Sequence, residues 1–224
     1  MDLSIFEDFA YFTNKDFEAF LNKKNSPVYL TQLSKENKII KIEKGKYTLH
    51  EDPLIYITTL TLPSYLSGLS ALNYYNLTTQ IPIHHTIITP NQKKPIPNIS
   101  FIKIKKEYFF GYKKINYKNF DIFIAEKEKL LIDCLYLDLG VNISELERLL
   151  EENLNTKKII NYLQKIDNIS LIKRVGYLLE KKNNTDIYNK FKDKILLDKN
   201  YIKLEKNLPK KDINNSKWKL IINT

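Results

Sequence analysis

The stretch of residues 62–77, L-P-S-Y-L-S-G-L-S-A-L-N-Y-Y-N-L, constrains the fold of this chain more than any other. Pro63 fits a first helical turn, where its missing N–H costs nothing, and Leu62, Leu66, Leu69, Leu72 and Tyr75 then recur at helical spacing on one face. The spacing predicts one buried helix. Ser67, Gly68, Ser70 and Ala71 place small side chains in its middle, which admits a close neighbour at the cost of helix propensity. On physical grounds alone the segment is a core element.

A chain of 224 residues can divide into a small and a larger domain. Upstream of the apolar stretch, Leu3, Ile5, Phe6, Phe9 and Ala10 predict a first helix. Thr13 with Asp16 forms the start signal of a second helix running to Leu21. Residues 23–25 make a turn. Ser26 then caps a third helix, with Pro27 at its first position, that runs to about Asn37. Residues 39–42 and 46–49 are β-prone, and Gly45 between them can supply the positive φ of a tight hairpin. The order predicts an α+β protein: a winged helix-turn-helix over residues 1–50, then a larger mixed α/β domain over 51–224 with a small sheet and several helices. Three short helices and a hairpin also serve as protein-interaction modules. Pro53 marks the boundary. Within the larger domain, strands are expected in 80–90, 101–104, 108–110 and 120–125, and helices over 126–139, 144–154, 156–166, 169–179 and 185–196. A last β-prone run covers 218–222.

On the third helix Leu30 and Leu33 define the inward face, so Val28, Thr31, Gln32 and Lys35 point outward, with Ser26 at the helix start. Tyr29 lies nearer the buried flank. Gln32 can pair with adenine, Thr31 can meet several base edges, Val28 can touch a thymine methyl, and Lys35 suits phosphate. With no arginine on this face, a site it reads would be A·T-rich. Lys41, Lys44 and Lys46 bracket the hairpin and can neutralise phosphates. Simple solvation accounts for any one lysine equally well, and only the cluster argues for DNA.

The formal net charge of +10 favours polyanionic partners. It is not concentrated in the first domain, since residues 1–50 carry 8 basic and 7 acidic side chains whereas 141–224 carry 18 and 11. A single cysteine, Cys134, excludes an internal disulfide framework, and the first residues lack the pattern of a secretory leader. A cytoplasmic location is expected. No apolar run approaches the roughly 18 residues that cross a bilayer, so no membrane partner is expected.

Catalytic, metal and cofactor sites are not expected. His84 and His85 are adjacent and would face opposite sides of a strand. Asp121 with E-K-E-K at 126–129 misses the register of a magnesium-dependent nuclease, and a solvated helix start explains the charges better. No phosphate-binding glycine loop, dinucleotide fingerprint or nucleophile elbow is present.

Three segments taken together resemble the AbiEi family: the 62–77 stretch, E-K-L-L-I-D-C-L-Y at 128–136, and K-R-V-G-Y-L-L-E at 173–180, followed by Trp218 and Asn223. Members are antitoxins and transcriptional regulators of type IV toxin–antitoxin systems, and the resemblance spans nearly the whole chain. It implies a DNA-binding repressor that acts on its own promoter as double-stranded DNA. It also implies an antitoxin opposing a nucleotidyltransferase-like toxin, a functional partner with which no direct complex is expected. Lys173 and Arg174, with Lys181 and Lys182 nearby, are candidates for the antitoxin surface, although a solvated helix face explains them equally well. The rival readings are a divergent DNA-targeting nuclease or modification subunit, and a plain winged-helix regulator with no toxin.

Overall fold

The computed structural model describes residues 2–22, 26–211 and 213–224. The chain begins with a single 3-10 turn, Ser4–Phe6, where the sequence predicted a helix. Packing explains the difference: Phe6 is buried with its ring 4.3 Å from that of Phe12, and Phe12 is drawn into a strand opposite Tyr47. Strand β1 (Phe12–Thr13) leads directly into helix α1 (Asn14–Leu21). There the Thr13 hydroxyl accepts from the Asp16 amide at 3.4 Å, and the Asp16 carboxylate accepts from the Thr13 amide at 2.7 Å. This reciprocal box satisfies two otherwise orphaned donors.

Helix α2 (Ser26–Lys35) buries Leu30 and Leu33. The predicted turn at 23–25 lies outside the described residues. Strands β2 (Ile40–Glu43) and β3 (Lys46–Thr48) form the expected hairpin around Gly45, at φ +77°. Together with β1 they make an antiparallel sheet of order β1-β3-β2. Phe6, Phe12, Phe17, Leu30, Leu33, Ile39 and Tyr47 form a separate hydrophobic cluster between helices and sheet.

The 62–77 stretch is not one helix. Residues Tyr65–Ser67 form strand β4, and helix α3 (Gly68–Tyr74) follows after an abrupt turn at Gly68, whose φ is +64°. Leu62 is 60% exposed instead of buried. The leucine spacing was misleading because β4 is held by partners remote in sequence. Leu66 pairs with Ile87 of β5 (His85–Thr89) and with Ile124 of β8 (Phe120–Ala125). With β6 (Ile99–Lys103) and β7 (Tyr112–Tyr117) these strands build a five-stranded mixed sheet of order β6-β5-β4-β8-β7. The strand expected at 108–110 is absent: Tyr108 ends a 3-10 turn and residues 109–110 lead irregularly toward the lysine-bearing edge strand β7, which the sequence does not predict.

Tyr65 and Ser67 face one side of this sheet, toward helix α4 (Lys127–Leu137), whereas Leu66, Ile87 and His85 face the other, toward α3. Behind α4 stand α5 (Ile143–Glu151), α6 (Thr156–Ile166), α7 (Ile169–Glu180) and α8 (Asp186–Leu197), close to the predicted spans. A small sheet of β9 (Ile202–Lys203), β10 (Asn214–Asn215) and β11 (Leu220–Ile221) brings Trp218 against Gly176 of α7. The two units touch. Ile42 of the hairpin belongs to the larger hydrophobic cluster, and the His50 and Phe120 rings meet edge to face at 4.8 Å.

Candidate nucleic-acid interface

Because α2 buries Leu30 and Leu33, its opposite face is open, and Val28, Thr31, Gln32 and Lys35 are all exposed along it. With Pro27 they line one shallow concavity. Val28, 68% exposed, is an unusually prominent apolar side chain for such a face. The Thr31 hydroxyl donates to the Pro27 carbonyl at 2.6 Å. The Gln32 amide donates to Glu36 at 2.9 Å, and Glu36 also pairs with Lys38 at 2.7 Å. Hydrogen bonds from Lys38 and then from Gln32 hold the Glu36 carboxyl below its usual range. A base edge would have to draw Gln32 from that carboxylate.

Two readings of this helix are corrected. Ser26 is the first helical residue and is fully buried, its hydroxyl donating to Glu18 at 2.7 Å, so it ties α2 to α1 and is turned away from the open face. Tyr29 is 40% exposed and lies outside the core.

On the hairpin, Lys41 and Lys44 are exposed, whereas Lys46 is not a spare cation. Lys46 donates to the Leu60 carbonyl at 3.2 Å, pairs with Glu43 at 2.9 Å and covers the Tyr11 ring at 4.9 Å. Glu43 is shared with Lys93 at 2.9 Å. Burial pushes the Glu43 carboxyl up, but the hydrogen bonds from Lys93 and Lys46 outweigh it and hold the group below its ordinary value. The hairpin is thereby clamped to the 90–95 segment, leaving its tip open.

Lys173 and Arg174 do not form a surface. Lys173 is fully buried, donating to Asp198 at 2.6 Å and to the Asn200 carbonyl at 2.7 Å. Arg174 is 8% exposed and donates through Nε to the carbonyls of Lys203 and Leu204, both at 3.1 Å, and through Nη2 to Lys203 at 2.9 Å. Both hold the segment after α8 onto α7. The basic patch expected there reduces to Lys181 and Lys182.

The solvated helix start at 126–129 is corrected as well. Lys129 is 2% exposed and pairs with the fully buried Asp133, which also accepts from the Tyr65 hydroxyl at 3.1 Å and from Ser67 at 3.0 Å. Burial raises the Asp133 carboxyl, against the pull of Lys129 and the two hydroxyls. This cluster locks α4 to β4, and it accounts for Tyr65 and Ser67 in the first segment and for Lys129 and Asp133 in the second. Their i, i+2 and i, i+4 spacings were the available signal.

The fold is thus a mixed α+β arrangement of eight α-helices and three small sheets among the described residues. A solved structure shares it: the Rv2827c protein from Mycobacterium tuberculosis superposes with a TM-score of 0.71 at 13% identity, covering 94% of this chain and 85% of that one. At such identity the likeness is one of fold. No protein-family model and no curated protein sequence matches the chain. Among the described residues no helix is long and apolar enough to cross a membrane.

Proposed function

We propose that the first unit is a winged helix-turn-helix that binds double-stranded DNA, and that the chain represses its own promoter. In this reading α2 enters the major groove, Val28, Thr31 and Gln32 meet base edges, and Lys35, Lys41 and Lys44 meet phosphates. The observation that carries it is the open face of α2, where apolar, hydroxyl, amide and ammonium groups stand together over a helix whose other face is fixed in a core. The resemblance to AbiEi proteins adds the antitoxin role against a nucleotidyltransferase-like toxin, exerted in the cytoplasm without catalysis and without a stable complex.

Fluorescence anisotropy with the protein's own upstream DNA and a scrambled duplex, at equal salt, tests the reading. The upstream duplex should bind more tightly, and Gln32→Ala should cost about 1–3 kcal/mol on that duplex only. Equal affinities for the two duplexes would rule out direct readout.

A further inference from the structure

A cleft of about 520 Å³ opens where the segment leaving the hairpin crosses the large sheet. The volume lies within the range of small-molecule sites. One wall is Pro53, Leu54 and Tyr56, and the other is the loop carrying Ile81, Pro82 and Ile83, with β5 and β6 contributing His85 and Ile99. Ile81 and Ile83 are 85% and 80% exposed, although an apolar side chain held in water gains nothing there.

Two side chains in the cleft each have a polar atom with no partner among the described residues. The Tyr56 hydroxyl makes no hydrogen bond to a described residue, and of the His85 ring only Nδ1 is engaged, with Ser70 at 2.9 Å. Both residues are more than nine-tenths buried. Among the described residues the one enclosed side-chain polar atom without a partner is Asn14 Oδ1, so the Tyr56 hydroxyl and His85 Nε2, on residues that line the cleft, are reached by solvent instead of being sealed in protein. Burial, and next the charge of Asp52, raises the Tyr56 hydroxyl, and burial lowers the His85 imidazole, so both are neutral groups able to donate or accept.

The charge of the lining decides the ligand class. Glu51 and Asp52 stand at the cleft, and no lysine or arginine lines it in a chain with 36 of them. Asp52 is already held by the Tyr117 hydroxyl at 2.8 Å and Lys118 at 2.6 Å, which leaves Glu51 as the exposed acceptor. Lys118 already neutralises Asp52, so a phosphorylated or carboxylated ligand would meet the Glu51 carboxylate with no cation in the lining to receive it. A flat, uncharged heterocycle would fit between the proline and isoleucine walls and satisfy the two neutral groups along its edge. Hydroxyls on an attached sugar could donate to Glu51.

From this geometry we propose that the cleft is a binding site for a nucleoside: the base lies between Pro53–Leu54 and Ile81–Ile83, the Tyr56 hydroxyl and His85 Nε2 bond its edge, and the sugar faces Glu51. The site is separate from the open face of α2 and does not depend on the DNA reading.

Isothermal titration calorimetry of the full chain with adenosine, guanosine, cytidine and uridine, each beside its 5′-monophosphate, tests this directly. At least one nucleoside should bind saturably with 1:1 stoichiometry, and its monophosphate at least tenfold more weakly. Tyr56→Phe should weaken binding about tenfold, since a buried edge contact is left unmade. Ile83→Asp, at a side chain already in solvent, should weaken it similarly without moving the melting temperature. Absence of saturable binding by all four nucleosides up to millimolar concentration would overturn the proposal. So would a nucleoside bound equally well by the Ile83→Asp protein, or bound no better than its monophosphate.

Discussion

At the scale of single residues, the lysines separate by what their ammonium groups touch. Lys44 stands exposed at the hairpin tip, so under the DNA reading Lys44→Ala should weaken upstream and scrambled duplexes alike and reduce the salt slope by about one. Lys173 is the opposite case. Its charge is fully buried against Asp198 and the Asn200 carbonyl, so Lys173→Ala should cost about 1.5–3 kcal/mol and be visible as a lowered melting temperature. Glu43 gives a pH signature. Its carboxyl is depressed below the ordinary 4.5 by Lys93 and Lys46, so the unfolded chain binds the proton more readily and the contribution of Glu43 to stability is complete above that value. It is lost as pH falls below 4.5 through the folded value. Chemical denaturation at pH 3 and pH 6 should show a smaller loss for Lys93→Met than for the unaltered protein.

Two glycines set what the elements can tolerate. Gly68 turns β4 into α3 at φ +64°, and a Cβ there would meet Leu139 Cδ1 at an ordinary 3.4 Å, so Gly68→Ala should cost roughly 1–2 kcal/mol from backbone strain alone. Gly176 has normal backbone but no room. A Cβ would stand 2.1 Å from Cη2 of Trp218, whose indole N–H donates to Glu180 at 2.6 Å. Gly176→Ala should therefore lower the melting temperature more than Gly68→Ala, a ranking that a thermal melt of the two variants checks. At this scale the sequence was readable where contacts are local. Helices α4 to α8 announced themselves through apolar period, and the Thr13–Asp16 box through its spacing. The strand at Tyr65–Ser67 was hidden among leucines because its pairing partners lie beyond residue 85, and β7 was hidden because Lys113 and Lys114 sit on an edge that faces water. Of the candidate interface, the outward positions of α2 were legible from Leu30 and Leu33. The burial of Lys173 and Arg174 was not, since their partners lie 25 to 30 residues further along the chain.

Over the whole molecule, the two hydrophobic clusters share a border at which the hairpin's Ile42 packs into the larger one and Glu43 joins Lys93. The larger cluster draws nearly all its buried side chains from residues beyond 55, so a fragment of residues 55–224 should retain its helical circular-dichroism spectrum and melt cooperatively. If the antitoxin reading holds, that fragment should also neutralise the toxin in cells while failing to repress the promoter. A well-folded but inactive fragment, beside an active full-length protein, would mean that antitoxicity needs the first unit.

The indole seated at Gly176 also orders events in time. Helix α7 lies at the centre of the larger unit, yet its notch is filled by a side chain from far downstream, and Arg174 and Lys173 on the same helix wait for carbonyls and a carboxylate that follow α8. On a ribosome adding ~5–20 residues per second, the interval between Glu180 and Trp218 is roughly 2–8 s. Throughout it the notch of α7 stays open, and until residues 198–204 have been made its two cations also lack their partners, so the nascent chain stays open to proteases and chaperone capture until the final strand arrives.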